Sequence, residues 1–135
     1  DRGYMAGIYR LSDGDFQTTF SADSTSLALA EDGKALYSRG TKSPVIKVGL
    51  DGKTIWESDC VAGRIPVPPT VAGGRVYVCS NTGVLHALDP ETGTTLWKYR
   101  VTPKLYVMSG VAVSEGMAYT TGLDGVVTAI ELPEK

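Results

Sequence analysis

The amino-acid sequence predicts an all-β fold, a β-propeller of four-stranded antiparallel blades that is incomplete at about three to three and a half blades. The main observation is that residue types recur with a period near 41. The recurring positions are Tyr37, Tyr77 and Tyr119; Trp56 and Trp97; Gly52 and Gly93; Gly83 and Gly125; and Ala87 and Ala129. A second observation is that each period contains several short runs typical of strands, separated by turn residues. A period of about 40 to 50 residues with several short strands is typical of one propeller blade.

The best-preserved unit spans residues 74–99 and contains three predicted strands joined by two tight turns. The strands cover residues 75–80, 84–88 and 95–99, and the first turn lies at 81–83. The second turn, at 89–93, reads Asp-Pro-Glu-Thr-Gly. In this turn Pro90 presets its φ angle, Asp89 can accept from nearby backbone amides, and Gly93 can adopt a positive φ without steric cost. These residues therefore predict two consecutive hairpins.

The other units follow the same pattern in chain order. In the partial first unit, approximately 1–23, residues 4–6 end a second strand, 8–11 form a third, and 16–20 form an outermost strand without a tryptophan. The second unit, 24–63, has strands at 26–30, 35–38, 45–50 and 54–57. A proline-rich connector at 64–69 opens the third unit, 64–104, whose inner strand contains Val71 and Ala72. The partial fourth unit, 105–135, has strands at 110–113, 118–121 and 126–132. We therefore expect one domain of two complete repeats flanked by two partial ones.

Composition and charge exclude two classes of partner. The chain has 135 residues, of which 42% are hydrophobic and 21% charged, with a formal net charge of −2. Nucleic acid is not an expected partner, because it requires a basic face. No apolar run approaches the roughly 18 residues of a membrane-spanning segment. The chain opens on Asp1 without a signal peptide, so we expect either a removed leader or a piece of a longer protein.

One motif of the third unit resembles a known family. The pattern Ala87-x-Asp89-x-x-Thr92-Gly93-x-x-x-Trp97 is similar to the tryptophan-docking signature of quinoprotein-dehydrogenase-type propellers, also called PQQ-like repeats. This family includes PQQ alcohol dehydrogenases and the scaffold lipoproteins of outer-membrane assembly. The second unit keeps Gly52 and Trp56. The resemblance implies a structural role for these residues, with each tryptophan packing from an outer strand against the neighbouring blade.

The same resemblance implies what a quinoprotein enzyme of this family needs. Such enzymes hold a quinone and a calcium ion on the propeller axis with carboxylate and amide ligands, and often have a vicinal cysteine pair. Here Cys60 and Cys79 are 19 residues apart, and no acidic cluster has the spacing of a calcium loop. We therefore predict no catalytic residue, no cofactor and no metal.

His86, the only histidine, is expected to be a packed, hydrogen-bonded side chain, with a ligand or base role as the alternative. The two cysteines are expected to be free, half-buried thiols, with a disulfide between them as the alternative.

Two functions remain open from the sequence. In the first, the chain is a non-catalytic scaffold that recognises a protein or glycan and is a fragment of a larger protein. We expect it to be secreted, periplasmic or attached to the cell envelope. In the second, it is an accessory domain of a larger enzyme whose catalytic residues lie outside this chain, such as a quinoprotein dehydrogenase, a phosphatase or a polysaccharide-processing protein. In either case we expect the isolated chain to self-associate, because an incomplete propeller leaves blade faces and strand edges uncovered.

Overall fold

The computed structural model describes residues 5–21, 24–40, 42–63, 67–101, 107 and 109–133. Within these residues the secondary structure is entirely strand, bridge, turn and bend, and no helix long and apolar enough to cross a membrane occurs there. The strands are β1 Met5–Tyr9, β2 Phe16–Ser21, β3 Ser24–Leu29, β4 Ala35–Gly40, β5 Pro44–Gly49, β6 Thr54–Val61, β7 Thr70–Ala72, β8 Arg75–Cys79, β9 Val84–Leu88, β10 Thr95–Arg100, β11 Ala112–Ser114, β12 Met117–Thr121 and β13 Val127–Glu131.

These strands form four separate antiparallel sheets, which we call blades one to four in chain order. Blade one pairs β1 with β2, and blade two has the order β3-β4-β5-β6. Blade three has the order β7-β8-β9-β10, and blade four pairs β11, β12 and β13. Each blade therefore follows the chain from its first strand to its last, as in a propeller. Two complete sheets between two partial ones confirm the predicted fold class.

The first blade departs from the strand assignment made from the sequence. Residues 4–6 and 8–11 were expected to belong to two strands, but residues 5–9 form the single strand β1. Gly7 lies inside that strand and pairs with Thr19 of β2. The turn instead follows Tyr9, where the Arg10 amide donates to the Asp15 carbonyl at 2.8 Å. The expectation was wrong because Gly7 adopts an extended conformation, whereas the positive φ of 74° belongs to Gly14.

The hydrophobic core is divided among the junctions between blades. Phe20 of blade one packs with Val48 of blade two. Residues of blades two and three form a second cluster that includes Val45, Trp56 and Val76, and blades three and four share a third cluster around Leu85. Burial of apolar area at these junctions is the main favourable contribution to folding. A blade is therefore stabilised by its neighbours.

A buried arginine of β4 binds two backbone carbonyls between blades two and three. The Arg39 side chain is 2% exposed, and its Nη2 donates to the Ala62 carbonyl at 2.9 Å while its Nη1 donates to the Val67 carbonyl at 3.2 Å. Burial lowers the pKa of its guanidinium. Two carbonyl acceptors replace part of the water that the guanidinium loses, and these bonds link Ala62 and Val67 to β4.

Candidate functional site

The turn between β9 and β10 is held together by the side chain of its first residue. Oδ1 of Asp89 accepts from the backbone amides of Glu91 at 2.8 Å and Thr92 at 2.9 Å, and from the Thr92 hydroxyl at 3.1 Å. These hydrogen bonds, led by that of the Thr92 amide, lower the pKa of the Asp89 carboxyl. The Gly93 amide donates to the Asp89 carbonyl at 2.9 Å and closes the turn. The turn therefore presents a fixed surface to blade two.

The indole of Trp56 lies against that surface from β6 of blade two. Its Nε1 donates to the Pro90 carbonyl at 3.0 Å. Gly93 has a φ of 74°, and a Cβ placed on it would lie 2.5 Å from Cε3 of Trp56. Any side chain at this position would therefore need both a disfavoured backbone conformation and displacement of the indole. Ala87 is fully buried in β9.

A lysine adds a second polar contact at the same junction. Nζ of Lys47 donates to the Pro90 carbonyl at 2.8 Å and lies 3.3 Å from Oε1 of Glu91. It also lies 5.8 Å from the centre of the Tyr37 ring. The Lys47 side chain is 10% exposed, so its ammonium has given up most of its water and depends on these acceptors. Blades two and three are thus joined by two donors that share one carbonyl.

Tyr37 lies beneath this junction and beside a pocket. Its ring centre is 5.7 Å from that of Trp56, and the residue is 2% exposed. Burial, followed by the negative charges of Glu91, Asp32, Glu31 and Asp89, raises the pKa of Tyr37 to about 12. The phenol therefore keeps its proton at physiological pH. The pocket has a volume of about 180 Å³ and lies between blades two and three.

The other two residues of the predicted motif lie at different junctions. Gly52, with a φ of 81°, packs on blade one, and a Cβ there would lie 2.9 Å from the Thr19 carbonyl oxygen. Trp97 packs at the junction of blades three and four, with its ring centre 6.2 Å from that of Tyr77. Within the described part of the chain, Nε1 of Trp97 is buried without a hydrogen-bond partner. The seven motif residues are thus distributed over three junctions, with Ala87, Asp89, Thr92, Gly93 and Trp56 at or next to the middle one.

The two cysteines are unpaired and are more deeply buried than the sequence suggested. Cys60 is 1% exposed and Cys79 is 3% exposed. Burial raises the pKa of the Cys60 thiol to about 12 and raises that of Cys79 as well. Since the thiolate is the reactive form, neither group is suited to act as a nucleophile.

His86 is half-buried on β9, facing a groove that also contains Asp59 and Lys98. Burial lowers the pKa of its imidazole, an effect that Asp59 opposes. The sequence predicted a hydrogen-bonded histidine. Nδ1, however, is buried and has no hydrogen-bond partner among the described residues.

The described residues do not fit the quinone and calcium ion that the resemblance raises. No group of three or more His, Cys, Asp and Glu side chains within the described ranges could hold a metal ion. The two thiols are also separated in sequence and not vicinal.

Sequence analysis did not single out Lys47 as a junction residue, although the repeat contained a signal for it. In the sheet register, Lys47 pairs with Tyr37 and with Trp56. In blade three, Ala87 occupies the same position between Tyr77 and Trp97. A lysine where the equivalent strand has alanine marks a side chain that must find acceptors on the neighbouring blade.

Comparison with known proteins agrees with this geometry. The sequence model of the family described as "Outer membrane protein assembly factor BamB" matches residues 41–132. The 1-butanol dehydrogenase (cytochrome c) of Thauera butanivorans is 34% identical, over 68% of this chain and 16% of that protein. The outer membrane protein assembly factor BamB of Xanthomonas campestris pv. campestris is also 34% identical, over 46% of this chain and 17% of that protein. The chain thus spans about one sixth of the length of these relatives.

Solved structures share the fold at low sequence identity. BamB from Moraxella catarrhalis superposes with a TM-score of 0.82 at 18% identity, covering 97% of this chain and 41% of that chain. The computationally designed Ika4 protein superposes with a TM-score of 0.81 at 14% identity, covering 97% and 81%. These identities support the fold alone, whereas the sequence model matches more than half of the chain. The chain therefore belongs to the family of PQQ-like repeats described as outer membrane protein assembly factor BamB.

Proposed function

We propose that the chain is a non-catalytic propeller module that acts as a scaffold for protein recognition in the periplasm or cell envelope. The observation that carries this proposal is that the repeated side chains of the motif are used in contacts between blades. Trp56 and Lys47 are both bound to the Pro90 carbonyl. Turns and outer rims are then the surfaces left for a partner. The description of the family as an assembly factor supports a role in protein interaction.

Two features support the non-catalytic part of the proposal. The thiols of Cys60 and Cys79 are buried and have raised pKa values. Among the described residues there is no cluster of metal-ligating side chains either. A scaffold needs no such groups, because it can present a rigid surface alone.

A second candidate function is favoured by the similarity to a dehydrogenase. The chain is 34% identical to part of the Thauera butanivorans 1-butanol dehydrogenase. In this alternative the chain is an accessory domain of a larger enzyme, and the catalytic residues lie elsewhere in that enzyme. The parent protein, expressed with its native flanking sequence, separates the two functions. We expect no dye reduction by the parent with added quinone, calcium and 1-butanol, whereas quinone-dependent dye reduction would favour the accessory domain.

The scaffold role is tested by photo-cross-linking in the cell envelope. A photoreactive amino acid replaces Glu91 or Leu123, whose side chains are exposed, and a control replaces the fully buried Leu85. We expect discrete cross-linked proteins from at least one exposed position and none from the control. Cross-linking that is absent at every exposed turn, or that is the same as at Leu85, would contradict the scaffold role.

A glycan partner is the alternative to a protein partner, and it would be supported by saturable binding of purified envelope polysaccharide.

We also propose that the isolated chain self-associates through the outer faces of blades one and four. Met5 and Tyr9 on β1 and Val127 on β13 are all more than 60% exposed. Contacts that cover these apolar side chains would be favourable.

A further inference from the structure

His86 lies on β9, where the outer part of blade three meets blade two. In the sheet it pairs with Val78 of β8 and with Lys98 of β10. Its half-buried side chain lines a groove of about 360 Å³ that also contains Asp59 of β6. In the same groove the Thr95 hydroxyl donates to Oδ1 of Asp59 at 2.6 Å and links β10 directly to β6. The imidazole therefore lies beside a contact between the outer strands of two blades.

The packing around His86 favours a neutral imidazole. Nδ1 is buried and has no hydrogen-bond partner among the described residues. A neutral imidazole can carry its proton on Nε2 and leave Nδ1 bare, whereas an imidazolium has an N–H at both nitrogens. A buried N–H without an acceptor is unfavourable, and more so when the group is charged. Protonation of His86 therefore conflicts with the packed arrangement.

The charged groups that act on His86 do not remove this conflict. Lys98, directly opposite on β10, is a cation with no ion pair in the described chain, and like charges opposite each other destabilise a sheet. Asp59 on β6 is exposed and already accepts from Thr95, while β8 contributes only the apolar Val78. Burial lowers the pKa of His86, Asp59 opposes this effect and Lys98 adds to it, so that this pKa lies below its ordinary value of 6.5.

We propose that protonation of His86 loosens the contact between β6 and β10, so that this junction responds to acid. In the loosened state water can reach Nδ1 and accept from its N–H, which the packed state does not allow. The two states bind the proton with different affinities, and acid therefore shifts the population towards the looser one. A difference of one pKa unit between the states changes their ratio by at most about tenfold.

The direction of the response follows from the lowered pKa. The neutral imidazole stabilises the packed state fully above the unfolded-state pKa of about 6.5, and this stabilisation is lost as the pH falls through the lower folded-state pKa. Removal of the Lys98 charge should raise the pKa of His86 and weaken the response. Removal of the Asp59 charge should lower that pKa further and move the response to more acidic pH.

Two buried thiols allow the opening of two different junctions to be measured. Cys60 follows Asp59 on β6, is 1% exposed, and belongs to the cluster between blades two and three. Cys79 is 3% exposed and belongs to the cluster between blades three and four. The reagent 4,4′-dithiodipyridine labels both thiols in the whole chain, and mass spectrometry of the peptides separates their initial rates. Each rate is divided by that of a free cysteine peptide at the same pH, which corrects for ionisation of the thiol itself.

Acid should accelerate labelling at one thiol only. We expect the corrected rate at Cys60 to rise by up to about tenfold for each pKa unit that separates the two states, on going from about pH 7.5 to about pH 5.5. The corrected rate at Cys79 should stay constant. NMR of the imidazole nitrogens follows the protonation itself, and its signals need no assignment because His86 is the only histidine. We expect a midpoint below 6.5 and a neutral form protonated on Nε2.

Matched variants identify the group that responds. His86→Gln keeps a polar side chain but cannot be protonated, and it should abolish the acid response at Cys60. Lys98→Gln, at an exposed position, should reduce that response and serves as the second test if His86→Gln does not fold. Lys34→Gln removes the same charge at an exposed turn outside the groove and should leave the response unchanged.

Four results would overturn the acid response proposed for this junction. The first is an imidazole midpoint at or above 6.5, and the second is a corrected rate at Cys60 that does not change with pH. The third is equal acceleration at Cys60 and Cys79, which would mean that acid unfolds the whole chain. The fourth is the same acceleration at Cys60 in the wild type and in a folded His86→Gln variant or, where that variant does not fold, in Lys98→Gln.

Discussion

The Trp56 indole combines three contacts at one junction. It lies beside the Tyr37 ring, covers the Cα of Gly93, and donates to the Pro90 carbonyl at 3.0 Å. Trp97 has the same place in its own repeat, but it is only partly buried and its Nε1 has no partner among the described residues. The two tryptophans occupy equivalent positions in the repeat but differ in their contacts with the neighbouring blade. Trp56 has a hydrogen-bond acceptor there, whereas Trp97 has none among the described residues.

This difference predicts unequal losses of stability. Trp56→Ala should lower the free energy of unfolding by about 3–5 kcal/mol, because it opens a cavity and leaves Pro90 without one of its donors. Trp97→Ala should lower it by less, since less of that ring is buried and no hydrogen bond is lost. Chemical denaturation of both variants beside the wild type measures the two losses. An equal or greater loss for Trp97→Ala would contradict the ranking.

Gly93 allows a matched test of how closely the blades approach. Gly93→Ala should destabilise the chain by more than the roughly 1–2 kcal/mol expected for a left-handed backbone alone, because its Cβ would meet the Trp56 ring. Gly125 has a similar φ of 76° but no atom within 4 Å of its virtual Cβ. Gly125→Ala therefore measures the backbone contribution by itself. If both variants lose the same stability in thermal denaturation, the indole can move aside without cost.

At the scale of single elements, turns were the most predictable features. The strand β9 lies at residues 84–88, as predicted, since the turns on both sides are specified by their own residues. The first blade was predicted wrongly because residues 4–6 and 8–11 were assigned to two strands, whereas Gly7 between them is extended and paired. A glycine permits a turn without requiring one. Local chemistry thus predicted hairpins well and the role of an isolated glycine poorly.

The turn at Asp89 predicts a specific response to acid. Hydrogen bonds hold the pKa of its carboxyl below the ordinary value of 3.8, so folding is favoured by the ionised form. This stabilisation is fully present above the unfolded-state pKa and is lost as the pH falls through the lower folded-state pKa. Asp89→Asn keeps an acceptor at Oδ1 but cannot ionise. The stability difference between wild type and Asp89→Asn should therefore shrink below about pH 4.

Urea denaturation of both proteins between pH 7 and pH 2 measures this difference. The other carboxylates titrate in both chains, so their contributions cancel in the comparison. Parallel stability curves over the whole range would mean that ionisation of Asp89 does not stabilise the turn.

At the scale of the whole molecule, the period of the sequence predicted the propeller but not the contacts between its blades. Tyr37 and Tyr77 recur because blades two and three bury the same face, whereas Tyr119 of blade four is 37% exposed. Lys47, Arg39 and the pocket at Tyr37 depend on which groups the adjacent blade brings within reach, and the repeat does not contain that information. Lys47 finds the Pro90 carbonyl 43 residues further along the chain. Such contacts between blades can be identified only from the folded structure, because they join residues that are distant in the sequence.

The exposed faces at both ends of the row of blades lead to a prediction about association. Tyr9 on β1 and Val127 on β13 are each 63% exposed, beside strand edges that have no partner among the described residues. We expect light scattering to show a molar mass above that of one chain, rising with concentration in the micromolar range. Tyr9→Lys with Val127→Lys should shift the chain towards the monomer, because charges on an edge strand oppose edge-to-edge pairing. Leu11→Lys with Leu123→Lys adds the same charge at exposed turns and should leave association unchanged. A stable monomer at every concentration would contradict self-association, and equal effects of the two double variants would place the contact elsewhere.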